Sequence, residues 1–240
     1  MTVTDDDITQ PLTSYTDTFD AQGILTNRSI LNDDGRRFEI AFEDGRIISR
    51  TTVDQMNAYS WESVADSFDL DGAKTLREII FDNGQITRTG YEDGQVVSKT
   101  TIDGADTYSW SSQTKSYDSS GGLETRDLIN DDGRVLAYAY VEGALSTLSI
   151  TDATDTRTWE SIFQTFAAEG ARETLARAYD DGRLLETFYQ GGVRRSDTMT
   201  DRDDAYCWAY YDSVYDAAGI VAERTTVYDS GNIRVVTYED

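Results

Sequence analysis

The four tryptophans of this chain, Trp61, Trp110, Trp159 and Trp208, each stand 49 residues from the next. Phe19, Phe68, Tyr117, Phe166 and Tyr215 keep the same step, as do Gly23, Gly72, Gly121, Gly170 and Gly219. Such a chain is restricted to architectures made by adding one supersecondary unit repeatedly, each unit burying surface against its neighbours. The register gives a lead-in of residues 1–11 and a repeat domain of 12–240, with units 12–60, 61–109, 110–158, 159–207 and an incomplete 208–240. Thr2-Val3-Thr4-Asp5 aligns with Thr51-Thr52-Val53-Asp54, so the lead-in carries the tail of a further unit.

Each unit reads as four strands closed by turn residues. In the second, Ala58 to Phe68 ends at Asp69-Leu70-Asp71-Gly72, Ala73 to Phe81 at Asp82-Asn83-Gly84, Gln85 to Tyr91 at Glu92-Asp93-Gly94, and Gln95 to Ile102 at Asp103-Gly104. Asp-Gly and Asn-Gly between Thr-, Val-, Ile- and Tyr-rich runs are strong hairpin signals, because both residues tolerate positive φ. Strands joined so tightly are antiparallel neighbours. Ser161 to Leu175 is the best helix candidate, but it is in register with strands of the other copies. The expected fold is therefore all-β: a continuous antiparallel meander, coiled or stacked, with neighbouring units burying each other's aromatic rows. Five units of four strands also suit a five-bladed β-propeller, and in a ring the N-terminal strand would complete the last unit.

Aromatic-Asp-x-x-Gly and Asp-Gly-Arg recur through the chain, and Tyr91-Glu92-Asp93-Gly94 has a near copy in Phe42-Glu43-Asp44-Gly45. This pattern resembles tandem β-hairpin repeats of the YD (Rhs) type and MORN or YwqK-like repeats, and the acidic repeat regions of secreted bacterial RTX-type proteins and adhesins. The resemblance implies a structural, secreted repeat module.

The net charge of −24 leaves no basic stripe for phosphates, so nucleic acid is not an expected partner. His is absent, which removes Ser-His and Cys-His nucleophiles and His-ligated zinc. The single cysteine, Cys207, fills the slot of Ser60, Ser109 and Thr158 and reads as a drifted repeat position. The segment has no signal-peptide pattern and no apolar run that would insert in a membrane. Its acidity suits an extracellular, cell-surface or virion setting.

Two residue sets carry candidate chemistry. Asp69 and Asp71 are candidate ligands for Ca²⁺, a cation that takes six to eight oxygens, although Asp is also a default turn residue. Tyr59, Trp61, Tyr108, Trp110, Trp159, Tyr206 and Trp208 form a candidate stacking row for glycans, the alternative being an aromatic ladder in the core. The row is imperfect: Arg157 fills one Tyr slot and Leu12 one Trp slot. Where the repeat breaks, at Gly122, Arg157, Ala167-Ala168-Glu169, Gly191 and Cys207, no new acid gains a partner, so no enzyme is expected. The leading expectation is a structural or adhesive module with self as partner. The alternatives are a carbohydrate-binding propeller and a Ca²⁺-binding extracellular repeat.

Overall fold

The computed structural model describes residues 1–4 and 12–238. Asp5 and Pro11 lie outside them. Among the described residues every element is a strand. β1 (Thr2–Thr4) leads. The first unit holds β2 (Leu12–Phe19), β3 (Leu25–Asn32), β4 (Arg36–Glu43) and β5 (Arg46–Asp54). The second holds β6 (Trp61–Phe68), β7 (Lys74–Phe81), β8 (Gln85–Glu92) and β9 (Gln95–Asp103). The third holds β10 (Trp110–Tyr117), β11 (Leu123–Asn130), β12 (Arg134–Val141) and β13 (Ala144–Asp152). The fourth holds β14 (Trp159–Phe166), β15 (Arg172–Tyr179), β16 (Arg183–Gln190) and β17 (Val193–Asp201). The last holds β18 (Trp208–Tyr215), β19 (Val221–Tyr228) and β20 (Ile233–Thr237). The helix candidate Ser161 to Leu175 is β14, a turn and the start of β15. No helix of the described residues is long and apolar enough to cross a membrane.

The meander divides into two compact bodies, Met1–Gly121 and Gly122–Asp240. In each, strands pair antiparallel with their chain neighbours. The unit junctions are no exception: β5 pairs with β6 through Thr52 opposite Val64, and β13 pairs with β14 through Ile150 opposite Ile162. This overturns the propeller alternative, whose blades are separate sheets. The ring closure fails too, because β1 pairs with β2 and β20 with β19 in an open meander. β1 repeats the role of a fourth strand, with Thr2 opposite Thr16 as Thr51 is opposite Ala65.

The turns follow from the sequence. Asp93-Gly94 is a two-residue hairpin loop with φ of 50° and 78°, the type I′ geometry whose twist matches its strands. Asp44-Gly45, Glu142-Gly143 and Gly191-Gly192 repeat it. At the first turn of a unit, Asp69 Oδ1 accepts the N–H groups of Asp71 and Ala73. Asp20 and Asp216 do the same.

The core is thin and one-sided. In Gly122–Asp240 the residues at 9% exposure or less on the strands are Asp152, Ile162, Gln164, Leu175, Thr187, Asp197, Met199, Ser213 and Tyr215. The pairing register puts all of them on one face. Every element of the described residues belongs to the meander. The chain exposes 14519 Å². Two separate compact bodies of half its mass would together expose about 13,000 Å². The chain therefore exposes somewhat more surface than two such bodies would, in keeping with a continuous open meander.

Candidate functional site

The aromatic side chains singled out by sequence lie at one end of the strands, where the loop joining successive units folds over a hairpin turn; Asp69 and Asp71 lie at the other end, in the turn between β6 and β7. The last residue of each complete unit's fourth strand organises that loop. Asp54, Asp152 and Asp201 accept the backbone N–H groups of Tyr59, Arg157 and Tyr206 at 2.6, 2.6 and 2.7 Å. Asp103 serves Tyr108 in the same way. Their 49-residue spacing is the sequence signal of this shared role. Because they hold the loop, Ala58-Tyr59-Ser60 is not part of a strand, and β6 begins only at Trp61.

Folded back this way, Tyr59 stacks on Trp61 at 5.1 Å between centroids and 16° between planes. Tyr108 stacks on Trp110 at 5.0 Å and 9°, and Tyr206 on Trp208 at 5.3 Å and 20°. Successive tryptophans within a body are four strands apart, about 19 Å. The pairs are thus separate stacks, not a continuous aromatic ridge.

Beneath each stack sits the Asp-Gly-Arg turn of the preceding hairpin. Asp34, Asp132 and Asp181 each accept both the N–H and the guanidinium of the arginine two residues on. In the second unit Asn83 and Gln85 replace the charged pair, and Asn83 Oδ1 still accepts the Gln85 N–H. Arg183 lies over Tyr206 at 5.4 Å, and Tyr206 donates its hydroxyl to Asp181 at 3.0 Å. The Arg183 hydrogen bond holds the Asp181 carboxyl below the usual value, and the Asp181 acceptor pushes the Tyr206 phenol up. Where Arg157 replaces tyrosine beside Trp159, its guanidinium reaches the equivalent carboxylate of Asp132 at 3.0 Å. The arrangement Trp–Tyr–Arg–Asp is a clamp between consecutive units, and Arg157 keeps its polar half without its aromatic half. Gly84 fits here because a Cβ on it would lie 2.8 Å from that of Ala105 in the loop above.

The candidate metal ligands do not converge. Asp69 Oδ1 is occupied by two amides, and Asp71 donates one of them. Among the described residues no group of three His, Cys, Asp or Glu is placed to hold a metal ion.

Halfway along the strands, on the more buried face, runs a row of charged residues. Asp66, 2% exposed, receives Arg77 Nε at 2.8 Å, Lys74 Nζ at 3.0 Å and Arg50 Nη2 at 3.2 Å. Burial pushes its pKa up, but those three hydrogen bonds outweigh that and hold it far below the ordinary carboxylate range. Asp17 and Arg28 form the equivalent pair one unit earlier, at 2.7 Å. In the last unit, burial and the neighbouring Asp197 push the Tyr215 phenol up to about 12.

No protein-family model matches the chain, and no curated protein matches it. Among solved structures, TcdB2-TccC3 without its hypervariable C-terminal region aligns over 98% of this chain at 12% identity and a TM-score of 0.25. TcdB2-TccC3-Cdc42 aligns over 92% at 13% identity and a TM-score of 0.22. The chain spans 15% of the length of either. At those scores the likeness carries no inference about this chain's activity or partners.

Proposed function

We propose that the chain is a non-enzymatic structural repeat module of an extracellular or surface-exposed assembly, acting through its shape and by pairing with further copies of itself. The observation that carries this reading is the uniform use of its polar side chains. Unit after unit, the aspartates and arginines cap turns, hold loops or pair along the sheet. The YD-like motifs serve turns and clamps in the same way.

Self-pairing has a defined geometry. Tyr238 N donates to Ala222 O, so by antiparallel alternation the N–H groups of Ile233, Val235 and Thr237 point away from β19. β20 stands in the register of β4, whose partner β5 corresponds to β1. β1 of a second copy therefore fits the outer edge of β20, with Thr2 opposite Val235 and Val3 opposite Arg234.

Val235→Pro deletes one outward donor and leaves the bonds to β19 intact. It is expected to abolish concentration-dependent association in sedimentation velocity without changing the β-sheet circular dichroism spectrum. Association that persists in Val235→Pro, or a wild type that stays monomeric at about 1 mM, rejects the reading.

A further inference from the structure

In the third unit the row that holds Asp17–Arg28 and the Asp66 cluster reverses its charge. Lys115 occupies the slot of Asp66, and Lys99 occupies the slot of Arg50. The two are directly opposed across β9 and β10. Opposed residues have Cβ atoms about 4.5–5.5 Å apart, and like charges so placed are destabilising. Neither amine has an ion pair or hydrogen bond to another described residue. The chain has only three lysines against 45 acidic residues, so chance pairing of two of them without a carboxylate is a poor account of the position. A local rule broken without compensation inside the fold marks a place where something outside it compensates.

The surroundings say what. Lys99 opens onto a groove of about 640 Å³, lined also by Thr89, Gln95, Val96, Tyr117 and Ser120. All of these belong to the body Met1–Gly121. The size is in the range of small-molecule sites. Tyr117 supplies an aromatic wall, Thr89, Gln95 and Ser120 supply hydroxyl and amide partners, and Lys99 supplies positive charge at the lining, with Lys115 directly opposite it on β10. The corresponding groove one unit earlier, of about 500 Å³, is lined by Arg46, Ile47, Phe68, Leu70 and Asp71. There Arg46 already donates to the Leu70 carbonyl, and Asp66 neutralises the row alongside.

We propose that Lys99 and Lys115 form the charged end of a binding site for an acidic sugar. Its carboxylate or sulfate oxygens bridge the two amines, and its ring lies along Tyr117 with its hydroxyls on Thr89, Gln95 and Ser120. The site is distinct from the Tyr–Trp stacks at the strand ends. It is also independent of self-pairing at β20.

The test is calorimetric titration of the whole chain with glucuronate, galactose 6-sulfate, glucose and inorganic sulfate. Glucuronate or the sulfated hexose is expected to bind, more weakly as salt rises, and glucose and inorganic sulfate at least about tenfold more weakly. Which of the two acidic sugars binds better identifies the oxyanion. Lys115→Asp gives Lys99 the partner that Arg50 has in Asp66. It is expected to raise the thermal midpoint and weaken acidic-sugar binding by about tenfold or more. Lys115→Gln, the residue of Gln164 in the same slot, keeps the test readable if Lys115→Asp misfolds. Absence of acidic-sugar binding overturns the proposal, as does binding unaffected by either variant or inorganic sulfate binding as tightly as the sugars. If Lys115→Asp instead removes self-association of a chain that binds no sugar, the lysines pair with an acidic surface of another copy, and the proposal falls.

Discussion

Asp66→Ala is expected to lower the unfolding free energy by about 3 kcal/mol, the low end of the range for removing one member of a buried ion cluster. The carboxylate is 2% exposed and is the common partner of Arg50, Lys74 and Arg77. Its removal leaves three cations facing one another over a small void. The low end applies because the cations themselves are 47, 27 and 36% exposed and regain water when the carboxylate goes. Asp17→Ala is expected to lose about 1 kcal/mol, since its ion-pair partner is Arg28, 39% exposed.

The same cluster sets a pH window. The Asp66 pKa is depressed in the folded state from an ordinary value of 3.8. Its contribution is therefore complete above about pH 4 and is lost as pH falls through and below that value. Urea midpoints between pH 3 and 7 check this. Wild type is expected to lose stability more steeply below pH 4 than Asp66→Ala does. Parallel curves would show that the cluster does not couple to folding.

Why the turns were legible in the sequence and the faces were not has a physical basis. Asp93-Gly94 and Asp132-Gly133 announce hairpins because positive φ is a local requirement met by few residues. The loop at Ala58-Tyr59-Ser60 looked like the start of a strand because its cause is remote: the Asp54 carboxylate reaches five residues forward. Alternation also fails at the tryptophans. The register skips Glu62 between the pairs Trp61–Phe81 and Ser63–Ile80, and skips Glu160 between Trp159–Tyr179 and Ser161–Ala178. Across such a bulge the two-residue period does not say which face a side chain takes. The Lys99–Lys115 conflict needed the register as well. Sixteen residues apart in sequence, the two are neighbours only because β9 and β10 pair as they do.

That register also distinguishes the four tryptophans energetically. Trp208 lies against Tyr206 at 5.3 Å and 20°, and against Tyr211 at 5.3 Å and 58°. Trp159 stacks on no aromatic ring among the described residues, and Arg157 beside it turns to Asp132. Trp208→Ala is expected to cost about 3 kcal/mol, combining lost burial of a partly buried ring with two ring pairs of about 0.5–1.5 kcal/mol each. Trp159→Ala is expected to cost about 1.5 kcal/mol, from burial alone. Stability in a repeat meander is nearly a sum over units and their junctions, so the loss should concentrate at the altered junction. Native-state hydrogen exchange is the direct readout: protection should fall in β18 and β19 for Trp208→Ala and much less in β2 to β9. Equal losses for the two variants would remove the stacking contribution. A Trp208→Ala chain of wild-type stability that no longer binds a glycan would return the row to ligand recognition. A large, junction-confined loss makes the tryptophans the clamp that fixes each unit on the next, and explains why a leucine at position 12 serves in the same slot.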